Sequence, residues 1–305
     1  MRTAFIDTLF DLAKQDDRIT LMVGDLGFGV VTRFMEELPR QFVNSGVAEQ
    51  NMTGMAAGLA LSGKTVFTYS IANFPVLRCL EQIRNDVCYH NANVKIVAVG
   101  GGMAYGALGI SHHATEDIAV LRAIPNLTIF TPNDPVEARF ATRAAADLHG
   151  PCYLRLGRAG EFNVHENNIP LELGKAVTVK QGSDVTLIVA GGLLSEAVKA
   201  SELLEKEGLS VGILSIHTLK PIDEDAIRRV AVKSRSVFSL EEHSIVGGLG
   251  STVAEIIAES GIPTKFKRIG LRNEFSSIVG DQKYLRSRYG LDAPGIVQTV
   301  VETLR

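Results

Sequence analysis

Little in this 305-residue chain belongs to the chemistry of secretion, membrane spans or metal knuckles. Cysteine is scarce: Cys79, Cys88 and Cys152 are odd in number and show no CxxC spacing. That argues against a disulfide framework and a zinc knuckle, and fits a reducing, cytoplasmic compartment. No uncharged apolar run approaches the ~20 residues that span a bilayer. Asp7 and Asp11 interrupt the N-terminal stretch where a secretory apolar region would lie. HxxxH and HExxH are both missing, and His112 and His113 are adjacent, too close to chelate easily as a lone pair, so no metal ligands are expected from this chain. Charge of one sign is also missing. A net charge of −3 gives no electrostatic reason to expect nucleic acid or an anionic membrane surface, though it leaves room for a local cationic pocket that takes a small phosphorylated substrate.

What is present is enough apolar material for substantial cores, 46% of residues against 21% charged, and a length that favours about two domains. Short β-rich runs alternate with helical stretches, the pattern of α/β units with mainly parallel sheets. Strands are expected at 19–23, 66–70, 94–99, 127–130 and 152–156, with helices at 2–15, 49–61, 76–90, 115–123 and 136–148. A polar stretch from Glu161 to Asn168, ending at Pro170, reads as a linker. The alternation then resumes, with strands at 185–189, 211–216, 237–240 and 265–269 and helices at 195–206, 223–232, 249–259 and 296–304. Asp223 is expected to cap its helix. The expectation is two doubly wound, mainly parallel sheets: a first domain over 1–160, a linker over 161–174 and a second domain over 175–305.

Ligands of such sheets bind at strand ends, and the loops at 24–30, 44–49 and 100–113 stand out. Glu49 sits at a loop-to-helix junction. It reads either as the favourable acid of a helix's first turn or, among Val47, Ala48, Met52 and Met55, as a carboxyl in an apolar wall with a proton to share. His112 and His113 end a glycine-rich loop and read as proton-transfer groups or as solvated or core histidines. Arg158, in Leu154-Arg155-Leu156-Gly157-Arg158-Ala159-Gly160, reads as an anion clamp or a surface ion pair. Gly247-Gly248-Leu249-Gly250 resembles a phosphate-cradling helix start, but lacks the following Lys-Ser/Thr of a P-loop and reads better as tight strand-to-helix packing. His217 and His243, each after an expected strand, read as structural.

Several segments together carry a resemblance. Gly46-Val47-Ala48-Glu49-Gln50-Asn51-Met52, Tyr69-Ser70-Ile71-Ala72-Asn73-Phe74, Leu80-Glu81-Gln82-Ile83-Arg84-Asn85-Asp86 and Ser111-His112-His113-Ala114-Thr115-Glu116-Asp117 resemble the pyrimidine-binding domain of the transketolase superfamily. Ser215-Ile216-His217-Thr218-Leu219-Lys220-Pro221-Ile222-Asp223 and Glu241-Glu242-His243 resemble its C-terminal domain. The resemblance implies a thiamine-diphosphate-dependent enzyme that passes a ketol unit from a ketose, or ketose phosphate, to an aldehyde. It implies that Glu49 shares a proton with N1′ of the cofactor's aminopyrimidine, that Asp25 and Phe74 lie beside the cofactor, that His112 and His113 face the substrate, and that Arg158 binds a sugar phosphate.

Gly24-Asp25-Leu26-Gly27 is not the GDG motif that, with later asparagines, holds magnesium and diphosphate in this superfamily. The resemblance therefore implies a split enzyme, in which a partner subunit supplies the Mg2+ and diphosphate ligands of an α2β2 assembly. Leu108 stands where a transketolase has a donor-contacting aspartate, and Gly100 or Gly101 where relatives bind phosphate, so the donor pocket is expected to be less polar. Two further memberships share these domains: a 1-deoxyxylulose-5-phosphate-synthase-like enzyme with a pyruvate donor, and the β subunit of a 2-oxoacid dehydrogenase. A non-catalytic regulatory subunit on the same fold is the reading from another class.

Overall fold

A computed structural model describes residues 1–158 and 160–305. The first half of the chain lays down β1 (Ile19–Val23), β2 (Phe42–Asn44), β3 (Thr65–Ile71), β4 (Val94–Val99), β5 (Thr128–Phe130) and β6 (Cys152–Leu156). Between them run α1 (Arg2–Ala13), α2 (Thr32–Glu37), α3 (Glu49–Leu61), α4 (Leu80–Gln82), α5 (Asp117–Arg122) and α6 (Pro135–Asp147). The strands stand in the order β5-β6-β4-β3-β1-β2, every neighbour parallel. β1, β4 and β6 are buried at every position, which is why they read as unbroken runs rather than alternating ones: helices cover both faces. One face packs Phe5, Leu9, Phe34 and Phe67. The other packs Met52, Ala56, Val66 and Ile83, and its core runs on into Ile188, Leu214 and Ile227 of the second half.

That second half contributes β7 (Val177–Lys180), β8 (Val185–Ala190), β9 (Val211–Ser215), β10 (Thr218–Lys220), β11 (Ser236–Ser244) and β12 (Lys265–Leu271), with α7 (Leu194–Lys206), α8 (Glu224–Lys233), α9 (Leu249–Glu259), α10 (Gln282–Arg288) and α11 (Ala293–Leu304). Its sheet runs β12-β11-β8-β9-β7, parallel except for β7. The expected pair of doubly wound, mainly parallel sheets is therefore what the chain forms, with β2, β7 and β10 as strands not expected from the sequence. β10 leaves its own half and pairs antiparallel with β5, Thr218 opposite Phe130, as the edge strand of the first sheet.

Two caps tie the connections down. Asp223 accepts from the Ala226 amide at 2.9 Å, as expected of a helix cap. Asp134 caps α6 through the Glu137 amide and also accepts from the amides of Val164 and His165, so the polar stretch after β6 is anchored to α6. The clearest departure from expectation lies at 76–90. Only Leu80–Gln82 is α-helical, Ile83–Cys88 is a π-helix, and residues 73–79 are turns. Asn73 donates to the Ser111 carbonyl at 2.7 Å, which holds the segment as a loop across the strand ends and leaves Arg78 outside any helix.

Candidate active site

Glu49 is the first residue of α3, beside the carboxyl ends of β1 and β3. Its side chain is 1% exposed. Gly24, just past β1, faces it so closely that a Cβ there would lie 3.5 Å from Oε1, and Ser70 Oγ, near the end of β3, stands 3.4 Å from the same oxygen. Oε2 accepts from Arg78 Nη1 at 2.5 Å. Only part of the apolar wall expected around Glu49 is there. Met52, one turn on, is fully buried, but Val47 is 74% exposed and Met55 42%. The reason is helical geometry: Met52 at i+3 shares the inward face, while Met55 at i+6 falls on the outward one. The carboxyl is paired with a cation at the mouth of its pocket.

Phe74 and His112 continue the site. Arg78 Cζ lies 4.8 Å from the Phe74 ring centroid, and the His112 ring meets Phe74 edge-on at 5.2 Å. His112 Nδ1 is 2.9 Å from Ser111 Oγ. Glu49, Arg78, Phe74 and His112 thus form one chain of contacts across the strand ends. His113, expected beside His112, does not join it. It is 3% exposed and lines a separate pocket of about 190 Å³ with Ser244, Arg272 and Asn273 of the second half. The cause is the bridge between Gly102 and Ala114, which turns the chain inward directly after His112. Burial pushes the His113 pKa down.

Asp25 is exposed, in a left-handed conformation with φ 53°, and its carboxylate accepts from Asn44 Nδ2 at 2.9 Å while its amide donates to Asn44 Oδ1 at 3.1 Å. This exchange binds the ends of β1 and β2 together beside Gly24. Arg158 is exposed, its guanidinium 5.2 Å from the Tyr105 ring centroid, and it lines a cleft of about 560 Å³ with Leu108, Asp281 and Lys283. Ala159, next in sequence, lies outside the described residues. The side-chain-free positions in the loop after β4 have a packing reason: a Cβ on Gly100 would collide with the Tyr105 ring, and one on Gly101 would lie 2.9 Å from Arg155 Cζ.

Between the two halves runs a second polar assembly that sequence reasoning missed. Arg155 donates through Nε to Asp117 Oδ2 at 2.8 Å and through Nη2 to the carbonyls of Ala114 and Glu242. Tyr153 donates to the same Asp117 oxygen at 2.5 Å. Glu242 accepts from the Met103 amide, Gln282 and Arg286. The signal was available: an arginine inside the otherwise apolar run of β6 must be paired if it is buried. The helix start at Gly247-Gly248-Leu249-Gly250 is taken by an internal carboxylate. Glu241 accepts from the amides of Leu249 and Gly250 at 2.7 and 2.8 Å, and burial raises its pKa to about 7 against the pull of those two donors. His217 and His243 are fully buried, and burial holds each at about 4. Arg78 was missed as well; its one sequence signal is a cation standing alone in Val76-Leu77-Arg78-Cys79-Leu80 at a strand-end loop.

Residues 1–160 match the family described as "Transketolase, pyrimidine binding domain", and residues 174–296 the one described as "Transketolase, C-terminal domain". The chain is similar to a subunit of the apulose-4-phosphate transketolase of Phocaeicola vulgatus, 41% identical over 100% of this chain and 97% of that protein. It is 37% identical to a 6-deoxy-6-sulfo-D-fructose transketolase subunit of Clostridium sp., over 99% and 94% of the two chains. Among solved structures, a split gene transketolase described as an inactive beta4 tetramer superposes with a TM-score of 0.90 at 36% identity, over 99% of this chain and 97% of that one.

Proposed function

Since this chain belongs to the transketolase family, in its split-subunit form, we propose that Glu49, Phe74 and His112 are its contribution to a composite active site completed by a partner subunit. The partner supplies the magnesium and diphosphate ligands, and the assembly is an α2β2 heterotetramer in the cytoplasm. The reaction moves a ketol unit from a ketose or ketose phosphate to an aldehyde. Residues 1–160 form the pyrimidine-binding domain, 161–174 the linker and 175–305 the C-terminal domain.

The observation that carries this reading is a carboxylate 1% exposed at a strand-end cleft with an aromatic ring and a histidine in line beyond it. The residues fit an aminopyrimidine. Glu49 already meets a planar nitrogen group that also lies over Phe74, and a flat heterocycle whose ring nitrogen shares a proton with the carboxyl would use the same two surfaces. Thiamine diphosphate, when bound, supplies the carbon nucleophile and electron sink that carbon–carbon cleavage requires. Glu49 holds and shares a proton at its carboxyl, Phe74 gives the ring an apolar face to lie against, and His112 stands where it can exchange a proton with a substrate oxygen. Asp25 braces the loop beside the cofactor, and Arg158 offers a planar cation to a sugar phosphate.

The exposed Leu108 and the closed-off positions at Gly100 and Gly101 support a donor pocket poorer in polar contacts than that of a pentose-phosphate transketolase. The test is Glu49→Gln in the complex with its partner subunit. Turnover is expected to fall by about 10²–10⁴ with the melting temperature unchanged. Retention of most of the activity would remove Glu49 from the chemistry and favour the regulatory reading.

A further inference from the structure

Arg78 answers to no role yet assigned. Its side chain is 45% exposed, and among the described residues it makes no hydrogen bond or ion pair except the 2.5 Å contact with Glu49. Its guanidinium also lies over the Phe74 ring, 4.8 Å from the centroid. It rises from a run of turns in which Val76 and Cys79 are buried and Leu77 is exposed, so the backbone is anchored while the guanidinium itself is held only through Glu49 and Phe74. Glu49 is held differently: it begins a thirteen-residue helix and is sealed below. The anchored partner is the carboxylate, and the movable one is the arginine.

The guanidinium is a flat group with N–H donors at its edge and a face that stacks on an aromatic ring. An aminopyrimidine is likewise flat and stacks on an aromatic ring, and its ring nitrogen can meet a carboxyl through a shared proton. A pyrimidine sharing a proton with Glu49 and stacked on Phe74 would need the carboxylate oxygen and the ring face that Arg78 now occupies. The two groups cannot hold them together.

We propose that Arg78 is an internal stand-in for the cofactor's pyrimidine: it closes the Glu49–Phe74 slot in the cofactor-free subunit and swings into solvent when the cofactor enters. This rests on the reading of Glu49 and Phe74 given above. The arrangement gives the carboxylate a hydrogen-bond donor before the cofactor arrives, and one that is released at modest cost because Arg78 is half open to water. Its consequence is a reduced apparent affinity. A site that is open only part of the time binds more weakly by the fraction of time it is closed.

The experiment is calorimetric titration of thiamine diphosphate with Mg2+ into the complex of this chain with its partner subunit, comparing wild type, Arg78→Ala, Arg78→Lys and Glu49→Gln. Folding is checked by thermal melts. Arg78→Ala is expected to lower the dissociation constant about tenfold. Arg78→Lys, which keeps the charge but not the flat face, is expected to fall between it and wild type. Unchanged or weaker binding in both folded arginine variants, with wild type binding normally and Glu49→Gln weakened, overturns the stand-in while leaving the assignment of Glu49 intact. Absence of binding to the wild-type complex, or binding to Glu49→Gln indistinguishable from wild type, overturns that assignment and the stand-in with it. A cofactor-bound structure in which Arg78 still sits on Glu49 also overturns the stand-in.

Discussion

Two arginine–carboxylate pairs, built from the same chemical groups, sit about as differently as this fold allows. Arg155 and Asp117 are 2% and 0% exposed and lie between the two halves. The arginine spends its remaining donors on the Ala114 and Glu242 carbonyls, and the aspartate also receives the Tyr153 hydroxyl. Arg78 and Glu49 share only one bond, and the arginine is 45% exposed. A sealed pair has already lost its water, so its attraction must repay a large desolvation cost through every available hydrogen bond, and it becomes rigid. A half-open pair keeps water on one partner and can exchange that partner for another. The first kind holds two domains together; the second suits a site that must admit a ligand.

The largest effect expected from this contrast is on stability. Arg155→Ala strands Asp117 as an unpaired buried charge and is expected to cost about 3–5 kcal/mol in urea unfolding. Arg78→Ala, with water able to enter in its place, is expected to cost about 1 kcal/mol or less. Equal losses would mean that exposure of one partner does not separate the pairs in the way argued.

The same contrast explains what was legible from sequence. The inner strands were, because strands buried on both faces are apolar throughout, and α3, β4 and the Asp223 cap carry their own local signals, while the half-exposed edge strands β2 and β7 were not. Glu49 and His112 stood out because their motifs occupy strand-end loops. β10 did not, since three residues pairing across to another sheet leave no periodic trace. Nor did the split fate of His112 and His113: sequence adjacency says nothing about a bridge at Ala114 that sends one outward and the other in. The apolar wall around Glu49 forms only at Met52 for a related reason. Neighbours in sequence are not neighbours in space, and the residue that closes the pocket, Arg78, lies 29 positions away.

Buried histidines sharpen the comparison through pH. His217 is held at about 4 by burial, with His165 a secondary contributor, against an ordinary value near 6.5. A base whose folded pKa is depressed contributes stability that is whole above 6.5 and is lost as pH falls toward 4. The loss from this one group amounts to about 3 kcal/mol between pH 7 and pH 4. His217→Asn removes it. The difference in unfolding free energy between wild type and variant should therefore shift by that amount across the window, the variant's profile being the flatter. Parallel profiles would show that His217 titrates normally and that the sealed region is wetter than its packing indicates.

A narrower contrast separates two arginines three residues apart. β6 ends at Leu156, so Arg155 is inside the sheet and Arg158 is past its edge, exposed, over the Tyr105 ring. Arg158 makes no hydrogen bond or ion pair among the described residues, so its removal has little structural cost to express. A planar cation at a cleft mouth contributes binding that is the same in the ground state and the transition state, which lowers KM without raising kcat. Arg158→Ala in the complex with its partner is expected to raise KM for a phosphorylated sugar about tenfold, near 1.4 kcal/mol, with kcat and the melting temperature unchanged and unphosphorylated sugars unaffected. Steady-state kinetics with matched phosphorylated and unphosphorylated substrates decide it. A fall in kcat would place Arg158 in the chemistry itself, and equal effects on both substrates would show that the guanidinium recognises the sugar, or the fold of the Tyr105 loop, and not the phosphate.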